Sequence, residues 1–471
     1  MRFSGWCALA ALTAIAGPAV AQTAAEHAAT ATTAAATALP FDPDQATREW
    51  LNTMDPAARA RSDSYFEGGY WIQFVGPVIG FIVAFLVLQL GWENNVRSWL
   101  EKTVKVYFFV VIGFALFYSL LGGLLSFPWD YWVGFVREHD YGLSRQDFSH
   151  WFTEYLQGFG INLAIGSLAI GVLYLIIAVA KKNWWIWGTI ATIVFTTFVS
   201  MLAPVYIAPI FNHYAEMQAG PLKTSVLQTA QANGVPADNV YVFDVSRQSN
   251  RVTANVSGFA GTTRISMADN LINRETPGGV RAVLGHEIGH YVLDHTVSLL
   301  TMFTLLIVVV FALANWLFNR LSAGERWGIR GISDPAGMPL LFSVIGFLFL
   351  IATPINNNIT RFHEHQADMF GLNAAREPDG FAESALLLSE YRKMEPSPLE
   401  EWFFYDHPSG YDRIHMAMVW KAHHMALGDI PMGPGGPPPG WHPDFVVMHH
   451  GAQNAAPAAQ QSSTAASHAA P

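Results

Sequence analysis

The sequence predicts an α-helical polytopic membrane protein with about six transmembrane helices and one small α+β domain. Hydrophobic residues make up 51% of the 471 residues, and charged residues only 13%. A soluble protein of this length carries about 25% charged residues. The deficit is concentrated in long apolar runs, which is typical of a chain that crosses a bilayer repeatedly.

Six apolar runs are each long enough to cross a bilayer as a helix. They lie at about 71–91, 105–126, 159–180, 184–206, 296–318 and 337–355. The first four form one transmembrane unit within residues 67–206, and the last two form a second within residues 296–355. We expect the segments 207–295 and 356–427 to build the α+β domain together.

The segment 207–295 shows both helical and extended patterns. Residues 221–232 have helical periodicity, whereas residues 239–245 alternate apolar and polar side chains as a strand does. Two more strands are predicted at 251–259 and 262–267, with a turn at Gly261 between them. Gly278 and Gly279 precede a predicted helix through 286–295, and another helix is predicted at 358–376.

The two ends of the chain differ in composition from the rest. Residues 1–21 are typical of a secretory signal, with Arg2 before a short apolar core and an Ala-Val-Ala cleavage pattern at 19–21. An uncleaved first anchor is the alternative. We expect residues 22–66 to be an exported segment, Ala/Thr-rich and disordered to about residue 39, and residues 428–471 to be a Pro/Gly/Ala-rich disordered tail.

Loop charges predict the orientation of the spans. Lysines and arginines follow the first, third and fifth spans, where the positive-inside rule places the cytoplasm: Arg97, Lys102, Lys105, Lys181, Lys182, Arg320, Arg326 and Arg330. The signal predicts the same orientation. We therefore expect the α+β domain on the periplasmic face of a bacterial inner membrane, although Arg48, Arg59, Arg61, Arg137 and Arg145 would share that face.

Charge and cysteine content exclude several classes of function. The net charge is -10 and no basic cluster stands out, so nucleic acid is not an expected partner. The only cysteine, Cys7, lies in the N-terminal apolar stretch, which excludes an intrachain disulfide or a cysteine metal site elsewhere. Histidines and carboxylates would have to hold any zinc ion.

A metal-binding pattern, His-Glu-Ile-Gly-His, lies at residues 286–290. On a helix, His286 and His290 project from one face one turn apart, so both imidazoles can bind one metal ion. Glu287 projects about 100° away and can reach a water molecule on that ion. Zinc lowers the pKa of such a water towards about 7, and the carboxylate can take its proton as the water attacks a peptide carbonyl. A chance match is the alternative for so short a pattern.

Glu364 offers the third ligand of a one-zinc site. Glu364 and Asp368 are four residues apart on one face of the helix predicted at 358–376. Two histidines and a glutamate form the thermolysin-type, or gluzincin, arrangement, and a second carboxylate then accepts the Nδ1–H of a histidine ligand. We expect Asp368 to do so for His286, with His290 as the alternative.

A third polar group lies at Asp406 and His407, followed by Arg413. His407 can donate a hydrogen bond to the oxyanion that forms as water adds to the carbonyl. Arg413 can hold the ligand carboxylates or the loop in place. Four further polar residues lie beside these motifs and are not expected to be ligands: Asp294, His295, His363 and His365. Asp294 and His295 are nevertheless close enough to the histidine motif to act as alternative ligands.

With its three motifs in this order, the sequence resembles the type I CAAX prenyl protease family of membrane-embedded zinc metallopeptidases. The resemblance extends from the first spans to about Trp420. It is strongest at 255–259 (Asn-Val-Ser-Gly-Phe), 264–265, 269–271, 286–290, Pro354, Arg361 with 364–368, and 407–408.

The resemblance implies His286, His290 and Glu364 as ligands of one zinc ion, Glu287 as general base and His407 as transition-state donor. Asp368, Arg361 and Arg413 are expected to support these residues. The strand around Asn255 and Val256 is expected to pair with the substrate backbone by edge-strand addition. The resemblance also implies helices that enclose a large intramembrane chamber with the zinc facing inward.

The predicted function is hydrolysis of peptide bonds in membrane-associated or exported polypeptides. Two alternatives are an envelope quality-control protease resembling the heat-shock membrane metalloproteases, and an inactive scaffold that keeps the fold. The predicted outward orientation differs from the cytoplasmic one usual in the family, so the resemblance does not carry the substrate with it.

Overall fold

The computed structural model describes residues 39–257, 263–324 and 326–445. The predicted signal, the turn at Gly261 and the end of the predicted tail lie outside these residues. The elements are α1 (Pro43–Leu51), α2 (Pro56–Gln89), α3 (Trp92–Thr103), α4 (Tyr107–Tyr131), α5 (Arg137–Asp140), α6 (Phe148–Ala180), α7 (Trp184–Leu202), α8 (Ala208–Phe211), β1 (Tyr214–Glu216), α9 (Pro221–Ala232), β2 (Val240–Phe243), β3 (Ala254–Ser257), β4 (Arg264–Ala268), α10 (Asp269–Arg274), α11 (Pro277–Val292), α12 (His295–Leu321), α13 (Met338–Ala375), α14 (Pro378–Leu388), α15 (Pro398–Phe404) and α16 (Gly410–Leu427).

Five helical stretches in the described part of the chain are long and apolar enough to cross a membrane: Pro56–Gln89, Tyr107–Asp140, Phe148–Phe211, His295–Leu321 and Pro335–Ala375. The third stretch contains two of the predicted runs. Its backbone turns at Lys181, where φ is 50°, and α6 and α7 pack together with Leu173 against Gly188. The predicted fold class, several apolar helices plus a small mixed domain, is confirmed.

Helix α13 carries the chain from the membrane into the domain. The sequence predicts two helices here, a span to residue 355 and a second helix from 358, but the structure has one helix of 38 residues. Pro354 lies inside it, and the Asn358 side chain donates to the carbonyl of Pro354 at 2.6 Å. At 1.5 Å per residue the helix is about 57 Å long. A single rigid element therefore joins the apolar part to the residues of the predicted zinc site.

The sheet has the order β1-β2-β4-β3, in which β2 and β4 are parallel and the other pairs antiparallel. β3 is therefore an edge strand, with Asn255 opposite Ser266 and Val256 opposite Ile265. It begins at Ala254, three residues after the predicted start, and it packs against α11; residues 258 and 259 of the predicted strand lie outside the described residues. β1 was not predicted, because its three residues are half-buried or exposed and give no alternating pattern.

Helices α11 and α13 cross at backbone contact. A Cβ atom added to Gly285 would lie 2.8 Å from the carbonyl oxygen of Gly371, and one added to Gly371 would lie 2.8 Å from the backbone nitrogen of His286. A Cβ atom on Gly289 would lie 3.0 Å from the Cα atom of Ala367. Only glycine permits so close an approach. The crossing brings the motif at 286–290 beside the face of α13 that carries Glu364.

The segment that follows α16 packs against the domain, whereas the sequence predicts a disordered tail from residue 428. Trp441 lies edge-on against Trp50 with ring centroids 5.0 Å apart, and Phe445 is only 5% exposed. Lys421 Nζ donates to the carbonyl of Pro434 at 2.7 Å. Two aromatic residues, Trp441 and Phe445, pack this Pro- and Gly-rich segment against the domain. The composition of the segment does not predict this packing.

Candidate metal centre

Helix α11 presents the His-Glu-Ile-Gly-His motif. Its N-terminus is capped by Thr276, whose side chain accepts a hydrogen bond from the Gly279 nitrogen, and Pro277 occupies the first turn. The helix ends at Val292, not at residue 295 as predicted, because Asp294 adopts the left-handed conformation (φ 51°, ψ 37°). His295 consequently begins α12 and its side chain turns back towards the motif.

The structure brings the three predicted ligands together. The Nε2 atoms of His286 and His290 are 3.1 Å apart. Glu364 Oε2 lies 3.2 Å from His286 Nε2, and Glu364 Oε1 lies 3.4 Å from His290 Nε2. The four-residue spacing on α11 determines the distance between the two histidines, and the crossing of α11 with α13 determines their distances to Glu364.

These distances fit a tetrahedral zinc ion. Ligand atoms at about 2.0–2.1 Å from zinc lie about 3.3–3.4 Å from one another in a tetrahedron. The three observed distances, 3.1, 3.2 and 3.4 Å, are close to that spacing. Glu364 Oε2 is also buried without a hydrogen-bond partner. Buried acceptor atoms that converge in this way are costly unless a cation satisfies them.

Asp368 and Arg413 lie directly behind His286, the first candidate ligand. His286 Nδ1 is 2.7 Å from Asp368 Oδ1, so the imidazole donates through Nδ1 and keeps Nε2 free to bind metal. Arg413 donates to the same oxygen at 2.5 Å, and Asp368 is completely buried. Burial lowers the pKa of His286, but its hydrogen bonds with Asp368 and Glu364 outweigh burial and raise the value to about 9.

His295 supports the second histidine, a role that the sequence did not reveal. Its Nδ1 atom is 2.9 Å from Nδ1 of His290, and the residue is 2% exposed. Only the left-handed turn at Asp294 makes this contact possible. Asp294 itself is exposed and takes no part. His363 Nε2 lies 2.8 Å from the Ser298 hydroxyl, and His365 is exposed.

His407 and Glu287 complete the polar surface beside the three ligands. His407 Nδ1 is 2.8 Å from Asp406 Oδ1, and its Nε2 is 3.2 Å from Glu364 Oε2. Arg361 donates to the backbone carbonyls of Glu401 and Tyr405, the latter at 3.2 Å, so it braces the loop that carries His407. Burial raises the pKa of the Glu287 carboxyl, which favours its use as a base near neutral pH.

A cavity of about 190 Å³ adjoins this centre. His286, Glu287 and His407 line one side of it, and Thr253 and Ala254 line another. Asn255 and Val256, the predicted substrate-binding residues, follow directly in β3 but do not line the cavity. Ala254 pairs with Met267 on one side, so the other edge of β3 has no neighbouring strand in the described residues.

Sequence reasoning did not anticipate the far wall of this cavity. Three of its polar residues are Glu275, Ser384 and Arg392. They lie in a helix-to-helix turn, in α14 and in the turn after α14, and none belongs to a recognisable pattern. Their proximity to the motif arises only from the packing of α14 against α11.

Two family models match the chain in succession. The first, "CAAX prenyl protease N-terminal, five membrane helices", matches residues 44–213, and the second, "Peptidase family M48", matches residues 216–421. The chain belongs to peptidase family M48. Together the two matches span most of the described residues, and they confirm the resemblance to the CAAX prenyl protease branch. This M48 chain is accordingly a membrane metalloprotease, an enzyme that hydrolyses peptide bonds.

Relatives of this M48 peptidase occur in bacteria and eukaryotes. It is 27% identical over 368 residues to "Uncharacterized metalloprotease YhfN" of Bacillus subtilis, which covers 77% of this chain and 86% of the relative. It is 28% identical over 322 residues to "CAAX prenyl protease 1" of Saccharomyces cerevisiae, covering 63% of this chain and 69% of the relative. The crystal structure of S. mikatae Ste24p shares its fold with a TM-score of 0.66 and 20% identity, covering 80% of this chain and 94% of that one.

Proposed function

We propose that this M48 peptidase is a zinc metalloendopeptidase that cleaves membrane-associated or exported polypeptides. The observation that carries the proposal is the convergence of His286, His290 and Glu364 at 3.1–3.4 Å beside a cavity that also exposes Glu287. A zinc ion at these ligands supplies Lewis-acid chemistry, which lowers the pKa of a water molecule and polarises the scissile carbonyl.

The other residues take separate parts in the reaction. Glu287 accepts a proton from the attacking water and later delivers it to the leaving amine. His407 donates through Nε2 to the oxyanion, because its bond with Asp406 orients the ring towards the ligands. Asp368 holds the tautomer of His286, Arg413 holds Asp368, and Arg361 holds the loop.

The substrate backbone binds along β3 in this proposal. Among the described residues no strand pairs with the outer edge of β3 at Asn255 and Val256, and a peptide added there would run past Ala254 into the cavity. The apolar helices suggest substrates that reach the site at or within the membrane, in a chamber between the helices. The yeast relative is named for CAAX prenyl proteins, but we extend only the peptidase chemistry to this chain.

The loop charges also support a proposal for the side of the membrane on which the site lies. The loops after the first, third and fifth runs are basic, which supports a zinc site on the periplasmic face of a bacterial inner membrane. An alkaline phosphatase fusion after Ala232 should be active under this orientation. A fusion at Lys182 is the matched control and should be inactive, and the opposite pattern would reverse the placement.

The experiment that tests the function compares wild type with Glu287→Gln. We expect loss of peptide cleavage with one zinc ion retained per chain, because Glu287 does not hold the metal. Glu101→Gln, an exposed glutamate paired with Arg330, is the control and should keep full activity. Comparative proteomics of the two strains then identifies substrates as intact membrane or exported proteins that accumulate.

The two alternatives predict different outcomes. An envelope quality-control protease would leave many misfolded membrane proteins uncleaved in Glu287→Gln, whereas a processing enzyme would leave a few defined precursors. An inactive scaffold would show no cleavage by wild type at all. The complete ligand set favours an active enzyme.

A further inference from the structure

The cavity beside the metal centre contains an arginine that lacks a protein partner. Arg392 lines the cavity, yet no carboxylate lies within ion-pair distance of its guanidinium among the described residues, and none of their acceptors takes a hydrogen bond from it. The other cavity arginine, Arg413, is bound to Asp368. Arg392 is thus the positively charged side chain of this cavity that remains available to a ligand.

The backbone on both sides of Arg392 is fixed. Its carbonyl accepts from the Ser62 hydroxyl at 3.0 Å, and the next carbonyl, that of Lys393, accepts from the Tyr405 hydroxyl at 2.9 Å. Lys393 is itself held by Glu67 at 2.7 Å and Glu400 at 2.9 Å. Helix α2, through Ser62 and Glu67, and the segment 400–405 therefore hold the turn in place, while the guanidinium has no partner among the described residues. This arrangement is typical of a preorganised binding group.

Two carboxyl groups that could offset the charge of Arg392, those of Asp406 and Glu275, are engaged or uncharged. Asp406 is bonded to His407 at 2.8 Å. Glu275, on the far wall, is held by burial at a pKa of about 8, so it is protonated at neutral pH and does not cancel the arginine charge. Glu287 faces the metal ligands as the expected base.

The size of the cavity limits what it can hold. A volume of about 190 Å³ is below the range of roughly 300–1,000 Å³ found for drug-sized ligands. It suits one side chain or one chain end. Because His286 and Glu287 line the same cavity, the group that contacts Arg392 lies within one or two residues of the scissile bond.

We propose that Arg392 determines specificity by binding a carboxylate of the substrate, either the chain-terminal carboxylate or an acidic side chain close to the cleaved bond. Arginine binds carboxylates through paired hydrogen bonds, which are stronger than neutral ones. The proposal rests on the proposed peptidase function and adds the chemical class that the site selects.

The test uses one casein-derived peptide that wild type cleaves, with the cleaved bond located by mass spectrometry. Two matched pairs of peptides are then made. The peptides of one pair end one or two residues after the cleaved bond, either in a free carboxylate or in a carboxamide. The peptides of the other pair carry either Glu or Gln next to the cleaved bond. We expect wild type to prefer the carboxylate partner of at least one pair by about tenfold or more in kcat/KM. The pair that shows the preference identifies the source of the carboxylate.

The variant Arg392→Gln should abolish this preference by slowing cleavage of the carboxylate peptide alone, with carboxamide cleavage and zinc content unchanged. Arg392→Lys should retain part of it. Arg330→Gln removes an exposed arginine that pairs with Glu101 and should leave the preference intact. Equal cleavage within each pair by wild type, or an undiminished preference in Arg392→Gln, would overturn the proposal.

A binding measurement separates this inference from the peptidase function. The zinc-loaded Glu287→Gln protein is titrated with matched pairs of short peptides whose sequence is chosen without reference to cleavage, a free carboxylate against a carboxamide and Glu against Gln, with and without the Arg392→Gln substitution. Tighter binding of the carboxylate peptide that depends on Arg392 supports the inference even if wild type hydrolyses nothing, in which case the peptidase function alone fails. Equal binding within every pair overturns the inference, even where wild type cleaves each peptide.

Discussion

Replacing Asp368 by asparagine tests how the structure holds its metal ligand. The carboxylate is completely buried and accepts two hydrogen bonds, from His286 Nδ1 at 2.7 Å and from the Arg413 guanidinium at 2.5 Å. Asparagine keeps the size of the side chain but removes its charge. The substitution therefore weakens the orientation of His286 and leaves the Arg413 guanidinium buried without a counter-charge.

Both effects have an expected size. Removing the acceptor behind a histidine ligand costs roughly 10–100-fold in metal affinity, which is about 1.4–2.8 kcal/mol. Breaking a buried ion pair by removing one partner costs about 3–5 kcal/mol of folding free energy. Asp368→Asn should show both losses. In Asp368→Asn/Arg413→Met neither charge of this pair remains, so stability should recover in part while zinc affinity stays low.

Two assays separate these losses. Competition with a chromophoric chelator gives zinc affinity, and thermal unfolding of the chelator-treated protein in detergent gives stability without the metal contribution. A folded Asp368→Asn protein that binds zinc within twofold of wild type would refute the reasoning. Recovery of zinc affinity in the double variant would also refute it, because the loss would then come from Arg413 alone.

Three further predictions concern the helix packing, the metal and the ion pairs of Glu395. Gly289→Ala should lower the free energy of unfolding by about 1–3 kcal/mol and lower zinc affinity, because the added Cβ atom would lie 3.0 Å from the Cα atom of Ala367. Gly80→Ala is the control and should change neither, because its Cβ atom would have no atom within 4 Å. Zinc must displace a proton from His286, whose pKa is raised to about 9, so competition titrations below that pH should show affinity falling about tenfold per unit. Burial raises the pKa of Glu395, but its hydrogen bonds with Arg59 and Arg48 outweigh burial and lower that pKa. The two ion pairs therefore stabilise the fold above the unfolded pKa of 4.5, and this stabilisation is lost as the pH falls through the folded pKa. The loss of stability with falling pH, followed by circular dichroism, should be shallower in Glu395→Gln, and identical curves would contradict this.

The sequence predicts the parts of this site that depend on helical spacing. His286 and His290 share a face because they are four residues apart, and the same holds for Glu364 and Asp368. The partner of Asp368 could be narrowed only to two histidines, because the choice depends on the angle at which α11 and α13 cross. That angle depends on the glycine contacts of the crossing, which no periodicity reveals.

The residues that the sequence did not reveal reach the site through turns. His295 meets His290 only because Asp294 is left-handed, a conformation that a non-glycine residue seldom adopts. Arg392 reaches the cavity through a turn held by Tyr405 and by Ser62, which is 330 residues away in sequence. The packed segment after α16 depends in the same way on the contact of Trp441 with Trp50.

The most direct test of the central claim is a paired measurement of zinc content and peptide cleavage in wild type, Glu287→Gln and Glu364→Gln. The geometry predicts one zinc ion per chain and cleavage in wild type, one zinc ion without cleavage in Glu287→Gln, and loss of both in Glu364→Gln. Full zinc content in Glu364→Gln, or undiminished cleavage in Glu287→Gln, would contradict the account.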